Sequence, residues 1–319
     1  MGTHIPTPLG PDKRLSLDEA AALIRDGETL ALGGMTLYRR PAAFARALAR
    51  RPVRTLTLIA FTAGYECDLL VGAGCVGAVR SCYFGLEAFG LAPMFTSRDA
   101  DITVVEETEA TLACGLRATI GRLSFYPTQA LFGTDILNVR PDITSVVCPY
   151  TGRQLLAVPP LLVDTAVLHV PLADSTGNAV LGGEHAVDRE LALAAHQVIV
   201  TAERIVPTEI VAAAGVDILG LRVAAVVHCP TGAHPTSCWP AYPLDGDHLL
   251  RYLDACAAGH FDRYLEHCGP DEAVYQARYV PAEWVEQREQ RLMAWQEALM
   301  GLIRAVAPSA PLAASGGTS

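Results

Sequence analysis

Thr29-Leu30-Ala31-Leu32-Gly33-Gly34-Met35-Thr36-Leu37-Tyr38-Arg39-Arg40-Pro41 reads as one strand-to-helix junction. A short apolar strand over Thr29–Leu32 stops at two glycines. Two arginines follow, and Pro41 suits the first turn of a helix, where its missing N–H costs nothing. That helix is expected to run to about Arg50. Ahead of the strand, Ser16-Leu17-Asp18-Glu19 has the form of a capping box that opens a helix through about Arg25, with Gly27 ending it.

The alternation continues outward. Leu56–Ala60 reads as a buried strand, Cys67–Val71 as helical, Val76–Phe84 and Ile102–Val105 as strands, and Glu109–Arg122 as a helix. In the second half the expected strands are Ser145–Cys148, Thr165–Val170, Val198–Thr201 and Val223–Cys229, with a helix near Asp188–His196. Strands that are continuous apolar runs separated by helices imply an α/β fold with an open, mostly parallel sheet covered on both faces. After Pro240 the pattern becomes helical, over His248–Ala258, Phe261–His267 and Ala282–Ile303. The expected division is an N-terminal tail (1–13), an α/β domain (14–240), a helical C-terminal lobe (241–306) that packs on the sheet domain or on a partner, and a Pro/Ala/Ser/Gly-rich disordered tail (307–319).

Composition narrows the function classes. The 319 residues are 51% hydrophobic and 18% charged, ample for one large core. Mean hydropathy is +0.27, yet no apolar stretch is long enough for a membrane span. The apolar excess points to surface buried against another subunit. The net charge of −10 lacks the basic footprint of a nucleic-acid binder, although a local positive pocket can still hold an anion. The first ten residues show no signal-peptide pattern. Nine cysteines without a CxxC pair fit buried, reduced thiols in the cytoplasm.

Gly72-Ala73-Gly74-Cys75-Val76-Gly77 matches GxGxxG. Its expected neighbours are reversed, with a helix before and a strand after, so a glycine-marked helix end is the better reading than a dinucleotide site. The Gly33–Pro41 junction is more informative. Backbone N–H groups at Gly33 and Gly34 suit an anion or a developing oxyanion, and Arg39 or Arg40 suits a phosphate or carboxylate. A plain βα turn with solvated arginines fits the same letters. Glu106-Glu107-Thr108-Glu109 puts carboxylates at a strand's C-terminal end, where open sheets place ligands. Glu106 and Glu109 are candidates for acid–base work, against a helix-start charge cluster. Pro127-Thr128 through Gly133-Thr134-Asp135, Asp174–Asn178, Gly182–His185 and Thr231–Cys238 are turn-rich loops that suggest a ligand- or partner-facing edge. His185, His228, His234, His260 and His267 show no metal-ligand spacing, and no GxSxG supports a serine hydrolase.

In order along the chain, Gly33–Pro41, Glu106–Glu109, Pro127–Asp135, His169–Asn178, Thr201–Val206 and Pro230–Pro240 resemble the motifs of glutaconate-type, family I coenzyme A-transferase α subunits. The resemblance spans roughly residues 14 to 280. It implies an open α/β sheet of the CoA-transferase (NagB/RpiA-like) class and a related β subunit, in a heterodimer or an α2β2 assembly. The substrates would be a coenzyme A thioester and a carboxylic acid, with no permanently bound cofactor. In this family a glutamate attacks the donor acyl-CoA, giving an anhydride and then a glutamyl-CoA thioester. That glutamate belongs to the β subunit. This chain would supply part of the acyl pocket and oxyanion support from Gly33 and Gly34, with Arg39, Arg40, Thr134 and Asp135 as further pocket residues. One branch of relatives instead opens rings of CoA-linked steroid fragments by hydrolysis, using an α-subunit glutamate as base. Glu109 matches that position, and Cys114-Gly115-Leu116 fits the same branch, whereas Gly133-Thr134-Asp135 follows the transferase pattern. A third branch decarboxylates. The main reading is a CoA-transferase α subunit. The alternatives are the ring-opening hydrolase and a binding subunit without chemistry of its own.

Overall fold

The computed structural model describes residues 10–97 and 101–306, the last five through their backbone alone. The strands are β1 (Thr29–Leu32), β2 (Leu56–Ala63), β3 (Val76–Phe84), β4 (Thr103–Glu106), β5 (Tyr126–Thr128), β6 (Thr144–Val147), β7 (Gln154–Val158), β8 (Thr165–Ala173), β9 (Ala179–Val180), β10 (Gln197–Ile205) and β11 (Val223–His228). The helices are α1 (Leu17–Ala21), α2 (Ala42–Ala49), α3 (Tyr65–Gly72), α4 (Pro93–Thr96), α5 (Glu109–Ile120), α6 (Ile136–Val139), α7 (Asp188–Ala194), α8 (Thr208–Ala214), α9 (Gly246–Ala257), α10 (Phe261–His267), α11 (Glu272–Tyr279) and α12 (Ala282–Val306).

Seven strands form a parallel sheet in the order β11-β10-β8-β1-β2-β3-β4, and β9 adds antiparallel to β8. The chain runs outward from β1 to β4 on one side and from β8 to β11 on the other. The strand order therefore reverses between β1 and β8. Open sheets bind ligands beyond the strand C-termini at such a switch point.

Alternation along the strands makes two cores. Leu30, Leu32, Leu58 and Val167 pack on one face with Phe44 and Leu48 of α2 and Leu70 of α3. Ala31, Ile59, Leu168 and Val200 pack on the other with Leu112 and Leu116 of α5 and Leu191 of α7. Each fully buried leucine contributes about 2 kcal/mol from apolar area alone. The Ser16 capping box is present, with Ser16 Oγ accepting from Glu19 N and Glu19 accepting from Ser16 N.

Two expectations change. Ser145–Cys148 was expected to add to the main sheet. Instead β6 pairs antiparallel with β7, which also pairs with β5, in a separate three-stranded sheet. That sheet rests Leu156 and Val158 on Cys114 of α5. Second, α8 and α11 add helices where no element was expected. The expected tail at 307–319 lies outside the described residues, as does most of the expected N-terminal tail. Among the described residues no helix is long and apolar enough to cross a membrane.

The chain from residue 246 onward is helical and joins the sheet domain through buried polar aromatics. Tyr252 donates to Asp68 (2.6 Å), and Tyr65 and Tyr264 share a hydroxyl contact of 2.7 Å. His234 lies between Asp245 (3.0 Å) and Tyr275 (2.9 Å). Burial holds His248 down to about 3, so it serves as a neutral hydrogen-bonding group. The GxGxxG run sits where α3 gives way to β3. A Cβ on Gly72 would stand 2.4 Å from the Phe261 ring of α10, and one on Gly77 would stand 3.1 Å from Thr55 Cα. No helix follows these glycines to receive a pyrophosphate.

Candidate active-site edge

The turn after β1 lies at the switch point, and its polar groups are turned inward. Gly33 N–H donates to Val167 O of β8 (2.9 Å), and Gly34 N–H donates to Asp188 Oδ1 of α7 (2.8 Å). Neither N–H is left to stabilise an oxyanion, which corrects the expectation for this pair. The arginines differ from expectation as well. Arg39 and Arg40 are fully buried. Arg39 donates to Asp188 Oδ2 (2.9 Å) and His169 O (3.0 Å). Arg40 donates to Gly34 O (2.8 Å) and pairs with Glu66 of α3. The two guanidiniums thus reach to opposite sides of the junction, one toward β8 and α7, the other toward α3. Both arginines meet carboxylates of their own chain because burying a charge requires a partner. The turn carries backbone strain: Thr36 (φ 38°) and Arg39 (φ 51°) are left-handed without being glycine.

At the far end of the edge, three carboxylates take different roles. Glu106 ends β4 and is exposed, and Glu109 opens α5 and is exposed. Glu107 between them is buried at 4% exposure. Arg80 of β3 donates to its Oε1 (2.9 and 2.5 Å). Arg140 (2.6 Å) and Thr111 (2.5 Å) donate to its Oε2. Arg140 also donates to Asp142 and to Glu106 O. This cluster ties the three-stranded sheet to the main one. Sequence reasoning singled out Glu106 and Glu109, and the structure buries the residue between them. Cys82 of β3 is pushed up to about 12 by burial and then by the charges of Glu107 and Glu109. Thr134 and Asp135 are exposed in the loop between β5 and β6. Thr134 Oγ1 donates to Leu131 O (2.8 Å).

A further polar centre lies inside the sheet. His169 of β8 and Thr201 of β10 are register partners, and His169 Nδ1 lies 2.9 Å from Thr201 Oγ1. His169 Nε2 meets Glu203 Oε1 (2.8 Å), to which Tyr242 also donates (2.6 Å). Glu203 Oε2 accepts from Thr231 N (2.8 Å) and from Arg288 of α12 (3.1 Å). Burial raises the Glu203 carboxyl, but His169, Arg288 and Tyr242 outweigh it and hold the group below its ordinary value. His169, Glu203 and Cys238 bring three metal-ligand types within 4.8 Å of one another. The Arg288 guanidinium already balances the carboxylate there, and burial keeps Cys238 a thiol, so the donor set does not suit a cation. The signal for this centre was a histidine and a glutamate inside apolar strands, because buried polar groups need partners.

The sequence profile of the family described as Coenzyme A transferase matches residues 14–228. A protein of Archaeoglobus fulgidus is 33% identical over 80% of this chain, and the match takes up 59% of its own length. The cholesterol ring-cleaving hydrolase IpdA subunit of Mycobacterium tuberculosis is 32% identical over 84% of this chain and 97% of its own. One subunit of the 3-oxoadipate CoA-transferase of Pseudomonas knackmussii is 34% identical, over 72% and 84%. Among solved structures, glutaconate coenzyme A-transferase of Acidaminococcus fermentans superposes with a TM-score of 0.80 at 26% identity, over 86% of this chain and 94% of that one. The chain belongs to the coenzyme A transferase family, and its fold is the open, mostly parallel sheet of that class.

Proposed function

We propose that this chain is the α subunit of a CoA-transferase that moves coenzyme A between an acyl-CoA and a carboxylic acid, and that its β subunit supplies the nucleophilic glutamate. One observation carries the reading. Of the buried carboxylates along the strand C-terminal edge, Glu66, Glu107, Asp188 and Glu203 each face a guanidinium, and Asp174 is held by Thr176 and Asn178. A carboxylate neutralised in this way is a poor nucleophile and a poor base. No buried carboxylate of this edge is left free for chemistry, which supports a nucleophile supplied from outside the chain. Glu106, Glu109, Thr134 and Asp135 are exposed and are assigned to facing substrate or the β subunit. The nine cysteines are all free thiols, which supports a reducing compartment, the cytoplasm.

The ring-opening alternative has its own support. Glu109 is exposed at the start of α5, and the IpdA relatives align over most of the chain. One experiment separates the two. The chain, co-expressed with its β subunit, is incubated with a panel of acyl-CoAs, with and without acceptor acids. Free CoA and new thioesters are followed by mass spectrometry. New thioester that requires the acceptor is expected, with the α chain inactive alone. Cleavage without an acceptor, abolished by Glu109→Ala, would replace transfer with hydrolysis.

A further inference from the structure

The short helix α10 sorts its charges by side. Asp262 and Glu266 line one cavity together with Arg50. Arg263 and His267 line a different one, of about 260 Å³, with His260, Ala255 of α9 and the side chains of Tyr264 and Tyr279. Spacings of three and four residues bring His260, Arg263 and His267 to one face. Among the described residues no carboxylate lines this second cavity.

The arginines elsewhere in the fold are largely spoken for. Arg39, Arg40, Arg46 and Arg140 are buried, and each pairs with a carboxylate. Arg263 is exposed, and its guanidinium has neither ion pair nor hydrogen bond among the described residues. Arg278 of α11 reaches the same rim and donates to His267 O. The wall behind them is fixed. Tyr264 is buried, and its hydroxyl is held by Tyr65 (2.7 Å) and His248 (2.8 Å).

The lining limits what fits. A guanidinium flanked by two imidazoles repels a metal cation and is a poor seat for an apolar group. It suits an anion, and a local positive pocket can hold one in a chain of net charge −10. The guanidinium fork matches the oxygens of a carboxylate or a phosphate. The imidazoles add donors that a two-oxygen carboxylate does not need and a phosphate can use. His267 already gives its Nδ1–H to Arg263 O (2.6 Å), so it donates to a ligand only from Nε2, in the protonated form that a bound anion favours. We infer that His260, Arg263 and His267 form a phosphate-binding site on the helical lobe, with Arg263 supplying the fixed charge. The occupant is either free phosphate or the phosphate group of a larger ligand, such as the 3′-phosphate of coenzyme A.

The test is titration calorimetry of the full chain, with its β subunit where the two co-purify, against inorganic phosphate, with sodium chloride of equal ionic strength as the blank. Saturable binding is expected, weakened about tenfold in Arg263→Ala. It is expected to be unchanged in Arg153→Ala, which removes an exposed arginine from the turn between β6 and β7. Arg263 is itself exposed, so its replacement leaves the fold intact. No heat beyond the chloride blank, or equal weakening by both variants, overturns the inference. Coenzyme A and dephospho-coenzyme A, titrated in the same way, identify the source. A preference for coenzyme A that Arg263→Ala abolishes places the 3′-phosphate in this site; any other pattern leaves the site to free phosphate. The phosphate titration reads no turnover, so its outcome stands whichever reaction the protein catalyses.

Discussion

Asp188 binds Gly34 and Arg39 with its two oxygens, at 2.8 and 2.9 Å, and so joins the first helix turn of α7 to the junction after β1. The carboxylate reaches the switch point from 154 positions beyond Gly34 in sequence. Asp188→Asn keeps the shape and removes the charge. It leaves the Arg39 guanidinium buried without a counter-ion and sets an amide N–H against it. A loss of about 3 kcal/mol is expected in urea unfolding, the usual cost of breaking a buried pair from one side. A change within the scatter of surface substitutions would mean that Arg39 finds another partner.

Glu107 and Glu109 should separate cleanly. Glu107→Gln removes the anion between Arg80 and Arg140 and is expected to cost about 3 kcal/mol. Glu109→Gln changes an exposed side chain and should stay within about 0.5 kcal/mol. Equal costs in the same unfolding assay would contradict the burial difference described for this segment.

Asp68 gives the fold a pH dependence of stated sign. Burial raises its pKa from 3.8 to about 6, against the bonds from Tyr252, Phe95 N and Met94 N. The folded chain therefore binds this proton more tightly than the unfolded chain. The group's stabilising contribution is complete below 3.8 and is lost as pH rises through 6. Asp68→Asn removes the dependence. The stability of the variant relative to wild type should rise by roughly 2 kcal/mol between pH 4 and pH 7, measured as denaturant midpoints in one buffer series. A difference that stays flat, or falls, would refute the assignment.

Arg288 anchors α12 to the sheet through Glu203 O (2.7 Å) and Oε2 (3.1 Å). Arg288→Ala leaves Glu203 its bonds from His169, Tyr242 and Thr231. Amide exchange over 282–301 should accelerate while β8 and β10 stay protected, with a stability loss of about 2 kcal/mol. Uniform loosening of sheet and helix together would show that Arg288 supports the core rather than the attachment of the helix.

The parallel sheet was legible because its strands are long and apolar. The bounds of β1 and β3 match the reading residue for residue. The three-stranded sheet was not legible. Only β6 was read as a strand, and it was assigned to the main sheet; β5 and β7 have three and five residues, too short for their runs to stand out. At the candidate site, the sequence named residues along one edge but not the partners that hold them. Arg39 and Arg40 read as free cations because their partners, Asp188 and Glu66, are distant in sequence. Glu107 looked no different from its neighbours because Arg140, 33 residues on, selects it. His169 and Glu203 lay within recognised motifs, yet only the pairing of β8 with β10 brings them together.

The glycines of the GxGxxG run answer to separate neighbours. In a nucleotide loop one bound phosphate disciplines all three, and they are kept or lost as a set. Here the first glycine makes room for Phe261, the middle one turns the chain at φ 69° with nothing near it, and the last clears Thr55. Among relatives they should drift one by one. Position 72 should change in step with position 261, and a search keyed to the pattern would report a cofactor where there is only the seat of an aromatic ring.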